Sequence, residues 1–159
     1  MCDHCGCRQG TIQELMDQHE AIAALGEDIR RCLKDGDQWG AHTRLDDLLT
    51  ILRPHVAWEE AGLFTRMSSQ GDFAEHVTSL EAEHASLYAQ LDAMADPATE
   101  WASAVLTMLA ELDEHMYREN FGLFPGAISV LDAEDWDAIE AARPAECACG
   151  GSCGAVMSR

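Results

Sequence analysis

The chain has 159 residues, 47% of them hydrophobic, which suits a single domain with one core and argues against extensive disorder. Its formal net charge is −19 at pH 7, a sign that repels nucleic acid and anionic membrane surfaces, and no apolar run approaches the ~20 residues of a membrane span. We therefore expect neither nucleic acid nor a membrane as a partner, and protein partners are unknown from the sequence. The first residues have neither a basic nor an apolar stretch typical of a signal peptide, so we expect a cytoplasmic location.

Four long segments repeat apolar residues at the spacing of an α-helix. The first helix is predicted to begin at Thr11, which forms a capping-box pattern with Glu14, and to end in the "KDGD" run that starts at Lys34. The second helix is predicted over residues 38–67. Pro54 lies inside this segment, and a proline there removes one backbone hydrogen bond, so we expect a bend.

The third helix is predicted over residues 72–95, and the fourth contains Trp101 and ends before Pro125. A short fifth helix is predicted from Asp132 to about residue 142. Short connections place neighbouring helices antiparallel, so the expected fold is all-α: an up-down-up-down four-helix bundle with a short fifth helix and cysteine-rich tails. The predicted units are an N-terminal tail (residues 1–10), the bundle (11–125), the short helix (126–143) and a C-terminal tail (144–159).

A ten-residue motif occurs twice in the chain. "HVAWEEAGLF" begins at His55 and "HMYRENFGLF" begins at His115, and both read H-x-x-x-E-x-x-G-L-F. Helical residues four apart lie on the same face, so each motif presents a histidine and a glutamate together on the core-facing side.

Two more histidines, His19 and His84, lie on the apolar faces of the first and third helices. The helical rise of ~1.5 Å per residue places all four histidines in one layer of the bundle. Buried carboxylates need cations, and imidazole and bridging carboxylate groups are ligands of first-row metals. A zinc hydrolase fits less well, because this layer leaves little room for a large substrate. His42 and His76 are expected at the surface. The predicted ligands suit two metal ions better than one, and they are His19, His55, Glu59, His84, His115 and Glu119.

Six of the seven cysteines lie in the tails, at Cys2, Cys5, Cys7, Cys147, Cys149 and Cys153. In a reducing compartment such clusters indicate metal ligands or redox groups before disulfides. Both tails are predicted at one end of the bundle, so their thiols can together bind zinc, copper or an iron–sulfur cluster, with His4 as an additional ligand. Free or adventitiously oxidised thiols are the alternative. Cys32 should not take part.

The order and spacing of the six predicted ligands resemble those of the hemerythrin-like HHE domain family, H…H-x-x-x-E…H…H-x-x-x-E, over roughly residues 11–125. The resemblance implies a four-helix bundle with a non-heme di-iron centre, bridged by both glutamates and an oxo or hydroxo group. It also implies that His19 and His55 serve one iron, and that His84 and His115 serve the other.

The resemblance further implies reactivity toward dioxygen, hydrogen peroxide or nitric oxide as the small partner. Oxygen-carrying hemerythrins have a fifth histidine from a His-x-x-x-His pair on the third helix, whereas His84 is followed by Tyr88 and preceded by Leu80 at that spacing. The chain therefore looks closer to bacterial HHE proteins of peroxide or nitrosative stress. Two functions stay open: a protein with catalase-like or peroxide-reducing activity, and a non-catalytic module for oxygen or nitric oxide binding or for iron storage and delivery.

Four occupants are open for the place of the missing histidine. Tyr88 can bind iron as a phenolate, because a cation stabilises the charged form, or it can donate a hydrogen bond to a site glutamate or water. Glu81 is the third candidate. An open position for peroxide is the fourth.

Overall fold

The computed structural model describes the backbone of residues 4–145 and the side chains of residues 9–145, and within this range the fold is an all-helical bundle. The predicted cysteine clusters of both tails lie outside the described side chains. No helix in the described range is long and apolar enough to cross a membrane. In chain order the elements are α1 (His4–Lys34), α2 (Gln38–Trp58), π1 (Glu59–Phe64), α3 (Thr65–Ser68), α4 (Ala74–Ala93), α5 (Trp101–Arg118), π2 (Glu119–Leu123), α6 (Phe124–Val130) and α7 (Ala133–Ala141).

The predicted start of the first helix is wrong. Helix α1 already begins at His4, so Thr11 lies inside it, where it is buried and its hydroxyl donates to the carboxylate of Glu140. The predicted end is close to the observed one. Gly36 follows α1 with a φ of +76°, a conformation that residues with a side chain rarely adopt, and Asp37 then caps α2 by accepting from the backbone N–H of Gly40 at 2.9 Å.

Both copies of the repeated motif cross from α-helix into π-helix at their glutamate. Segment π1 begins at Glu59 between α2 and α3, and π2 begins at Glu119 between α5 and α6. A π turn inserts an extra residue into the helix and is frequent at functional sites. The predicted end before Pro125 is wrong, since α6 continues to Val130. The π turn has already interrupted the i→i−4 bonding before Pro125, so its missing N–H is tolerated. Pro54 lies inside α2 as expected, and the bend there stays a prediction.

The short fifth helix is confirmed as α7. Asp132 caps it and forms a capping box with Asp135. The helix packs against π1, where the indole N–H of Trp58 donates to the carbonyl of Ile139 at 2.8 Å. The guanidinium of Arg143 lies 4.0 Å from the centre of a Trp58 ring. Helix α7 therefore fixes the end of α2, which directly precedes Glu59 of π1.

The apolar core is divided into two clusters, and the four histidines predicted as ligands lie between them. His84 shows the arrangement, because Leu80 belongs to one cluster and Leu87 to the other. The same order holds along α1, where His19 lies between members of both clusters. The predicted layer of four histidines therefore forms a polar section through an otherwise apolar bundle.

Candidate metal centre

The structure brings the six sequence-predicted ligands together in the bundle interior, each at most 6% exposed. Their histidines meet in two pairs. The Nε2 atoms of His19 and His55 lie 2.9 Å apart, and the Nε2 atoms of His84 and His115 are also 2.9 Å apart. Each pair joins neighbouring helices, α1 with α2 and α4 with α5, so the two pairs are related by the internal repeat.

Each glutamate lies between the two histidine pairs. Glu59 places one carboxylate oxygen 3.1 Å from His55 Nε2 and the other 3.6 Å from His84 Nε2. Glu119 does the same, at 3.1 Å from His115 Nε2 and 3.2 Å from His19 Nε2. Both carboxylates therefore span from one pair to the other, as a ligand that bridges two metal ions must.

The second ring nitrogen of every site histidine faces a side-chain oxygen. An amide or carboxylate oxygen only accepts, so Nδ1 carries the proton and donates in all four cases. When such a ring is neutral, its Nε2 has a lone pair directed into the site. The Nδ1 contacts are His19 to Asn120 at 2.8 Å, His55 to Gln18 at 2.7 Å, His84 to Glu60 at 3.0 Å and His115 to Glu83 at 2.8 Å.

Burial perturbs the protonation of the metal-free site. It lowers the pKa of His55 to about 4, so this imidazole is neutral at physiological pH. Burial, together with the charge of Glu119, raises the pKa of Glu59 well above its ordinary value. For Glu119 burial acts in the same direction, but His115 and His19 outweigh it, and its pKa is lowered. For His115 burial opposes the charged form, but contact with Glu119 outweighs it, and the pKa is raised.

These contacts fit metal ions. The four carboxylate oxygens of Glu59 and Glu119 are buried without a hydrogen-bond partner among the described residues. Paired lone pairs at 2.9 Å and partnerless buried carboxylates are unfavourable unless a cation lies among them. Two groups of four residues each bring their ligand atoms within 4.8 Å of one another. The groups share both glutamates, and the first adds His19 and His55 while the second adds His84 and His115.

The comparison of the sequence with protein-family models agrees with metal binding. The model of the hemerythrin HHE cation-binding domain matches residues 10–127, which is most of the chain. The chain belongs to the hemerythrin HHE cation-binding domain family. No curated protein and no solved structure matches the chain. Membership in the HHE family and the two buried His/Glu groups suit the binding of metal ions such as iron.

Other residues of the internal repeat also have visible roles. The ring of Phe64 stacks on His84 at a centroid distance of 5.3 Å, and the ring of Phe124 stacks on His19 at 5.5 Å. Each motif phenylalanine thus supports a histidine from outside its own motif. Gly62 lies against Ile139 of α7, where a Cβ would come within 3.3 Å of its backbone. The two phenylalanines therefore position site histidines, and Gly62 allows α7 to pack closely on π1.

The structure places the candidates for the position of the missing fifth histidine in different environments. Glu81 is exposed and is not one of the buried groups around the site. Tyr88 is half-buried, with the Arg53 guanidinium 5.8 Å from its ring centre, and burial is the main cause that raises its pKa. Its hydroxyl donates no hydrogen bond to a site glutamate among the described residues, and coordination of iron by Tyr88 is untested. His42 is exposed as expected, but His76 is half-buried rather than at the surface.

Sequence reasoning missed the four acceptors of the Nδ1 protons. Their positions carry a local signal, because each is the immediate neighbour of a predicted ligand in the chain. Gln18 and Glu83 precede site histidines, and Glu60 and Asn120 follow the site glutamates. Each accepts from a histidine of another helical segment, and the spacing of residues along one helix does not indicate such a contact between segments.

Proposed function

We propose that the six buried residues bind two iron ions, and that the protein uses this centre to react with small oxidants, hydrogen peroxide foremost. The observation that carries the proposal is the convergence of four histidine Nε2 atoms on carboxylate oxygens that have no hydrogen-bond partner among the described residues. In this proposal His19 and His55 hold one ion and His84 and His115 hold the other, with both glutamates bridging. Iron, when bound, supplies Lewis acidity and electrons for redox chemistry.

The size of a cavity beside the centre supports the proposal of a small substrate. It has a volume of about 220 Å³, lies between α4 and α5, and is lined partly by His84 and His115. Space for only a few small molecules suits peroxide, dioxygen or nitric oxide and disfavours large organic substrates. Glu83, Glu111 and Glu114 also line the cavity. Their negative charge, with the net charge of the chain, favours uncharged molecules over anions.

The protein supplies orientation in this proposal. The Nδ1–H donors fix each imidazole with Nε2 toward the metal. The apolar clusters above and below the site keep bulk water out. The paired phenylalanines hold the rings of His19 and His84 in place.

The test is consumption of hydrogen peroxide by iron-loaded protein, with and without an electron donor. Consumption of many equivalents per iron pair, with oxygen release when no donor is present, supports catalase-like activity. Consumption that depends on the donor supports peroxide reduction. The His55→Ala, His115→Ala double variant should lose the reaction, whereas His42→Ala removes an exposed imidazole and should keep it.

The second candidate function is non-catalytic binding of oxygen or nitric oxide, or iron storage and delivery. The cavity is compatible with it, since a small ligand can reach the site without being turned over. Peroxide consumption that stops near one equivalent per iron pair, together with stoichiometric binding of dioxygen or nitric oxide, would favour this function over the enzyme.

A further inference from the structure

The two halves of the centre differ in the groups that accept their Nδ1 protons. Gln18 and Asn120 are neutral amides, and they serve His55 and His19. The other two acceptors, Glu83 and Glu60, are carboxylates, and they serve His115 and His84. Neutral acceptors thus surround one histidine pair, and anionic acceptors surround the other.

The internal repeat makes this difference a substitution at equivalent places. Gln18 precedes His19 as Glu83 precedes His84, and each accepts from the histidine of the following motif. Likewise, Glu60 and Asn120 directly follow the two motif glutamates. At both equivalent places, one half of the chain has an amide and the other half has a carboxylate; Gln18 and Glu83 have the same shape, whereas Glu60 is one methylene longer than Asn120.

Of the two carboxylates, Glu83 is held in place as an acceptor by a second partner. Arg118 forms an ion pair with Glu83 and also contacts Ser79, so the Glu83 carboxylate is fixed between Arg118 and His115. Glu60 is 45% exposed, so solvent weakens its charge more than that of Glu83, which is 33% exposed. A carboxylate that accepts from a metal-bound imidazole makes the ring a stronger donor to the ion than an amide does.

We propose that the two metal positions are inequivalent, and that the His84/His115 position binds its ion more tightly because carboxylates rather than amides support its histidines. This inference rests on the proposed two-metal centre. Loss of such an outer partner typically lowers metal affinity about 10- to 100-fold, which sets the size of the expected difference.

Anaerobic titration of the metal-free full-length protein with Fe²⁺ tests the inference. Wild type should take up two equivalents in two resolved steps, separated by at least about tenfold in affinity. His55→Ala should abolish the weaker step, and His115→Ala should abolish the tighter one. Uptake of two equivalents with equal affinity would overturn the inference and leave the two-metal proposal intact, whereas uptake of one or none would refute that proposal itself.

Exchange variants of nearly unchanged shape separate charge from structure. Glu60→Gln with Glu83→Gln should weaken the tighter step about 10- to 100-fold and leave the weaker step unchanged. Gln18→Glu with Asn120→Asp should strengthen the weaker step. Equal weakening of both steps by the first pair, with unchanged far-ultraviolet helix signal, would indicate a merely structural role. All four exchanges together should reverse the order of the two positions, with His55→Ala then abolishing the tighter step.

Discussion

Replacement of Gly62 by alanine should destabilise the protein, whereas the same replacement at Gly122 should not. The two glycines are equivalent in the repeated motif, and both lie in π segments. They differ in what faces them. A Cβ on Gly62 would come within 3.3 Å of Cα, O and Cγ2 of Ile139, while a Cβ on Gly122 would come 3.4 Å from the ring of His76.

The expected magnitude follows from two opposing effects. A change from glycine to alanine in a helix stabilises by roughly 0.5–1 kcal/mol, because glycine loses more conformational freedom on folding. Overpacking against a neighbour that cannot move costs about 1–3 kcal/mol. At Gly62 the neighbour is the backbone of α7, which hydrogen-bonds to Trp58. At Gly122 the neighbour is one side chain that can shift, so the stabilising effect should remain.

Thermal and urea unfolding of the two metal-free variants measures the difference. We expect Gly62→Ala to be less stable than Gly122→Ala by about 1–3 kcal/mol, because the stabilising effect is common to both variants; this corresponds to several degrees in melting temperature for a chain of this length. Because each variant adds the same methyl group to the same kind of segment, one serves as the control for the other. Equal stabilisation by both changes would refute the close packing of α7 on π1.

The His55→Ala, His115→Ala double variant should lose most of its iron in metal analysis while its far-ultraviolet helix signal largely survives, and full iron retention would refute the site. The metal-free protein should lose up to about 3 kcal/mol of stability as pH falls from about 6.5 to about 4, because the unfolded chain binds a proton that buried His55 does not. Urea unfolding at several pH values measures this loss, which should be absent in the His55→Gln variant. Truncation after Arg143 should remove any metal bound outside the bundle and lower the melting temperature, and no change in either would refute a metal-binding tail. Tyr88→Phe should leave the iron content and visible spectrum unchanged, whereas loss of a broad charge-transfer band would establish Tyr88 as a ligand.

The helices and the central histidine layer were predictable because both depend on regular periodicity. Apolar residues at helical spacing located α2, α4 and α5, the cap at Asp132 located α7, and the spacing of His55 and Glu59 placed both on one face. The family match over residues 10–127 confirms the resemblance carried by that pattern.

The parts that sequence reasoning missed depend on contacts between distant segments or on local backbone geometry. Thr11 has the pattern of a helix cap, but α1 continues through it and its hydroxyl bonds to Glu140 instead. Pro125 usually ends a helix, yet the preceding π turn accommodates it. The partners of the histidine Nδ1 atoms come from other helical runs, and only the packing of the bundle decides which amide or carboxylate reaches which ring.

The iron content of the full-length protein after anaerobic loading and removal of loosely bound metal tests the central claim most directly. Two buried groups that share both glutamates predict about two iron ions per chain, lost together in the His55→Ala, His115→Ala variant. Retention of one iron ion or none by the wild-type protein, or of two by the double variant, would contradict the assignment.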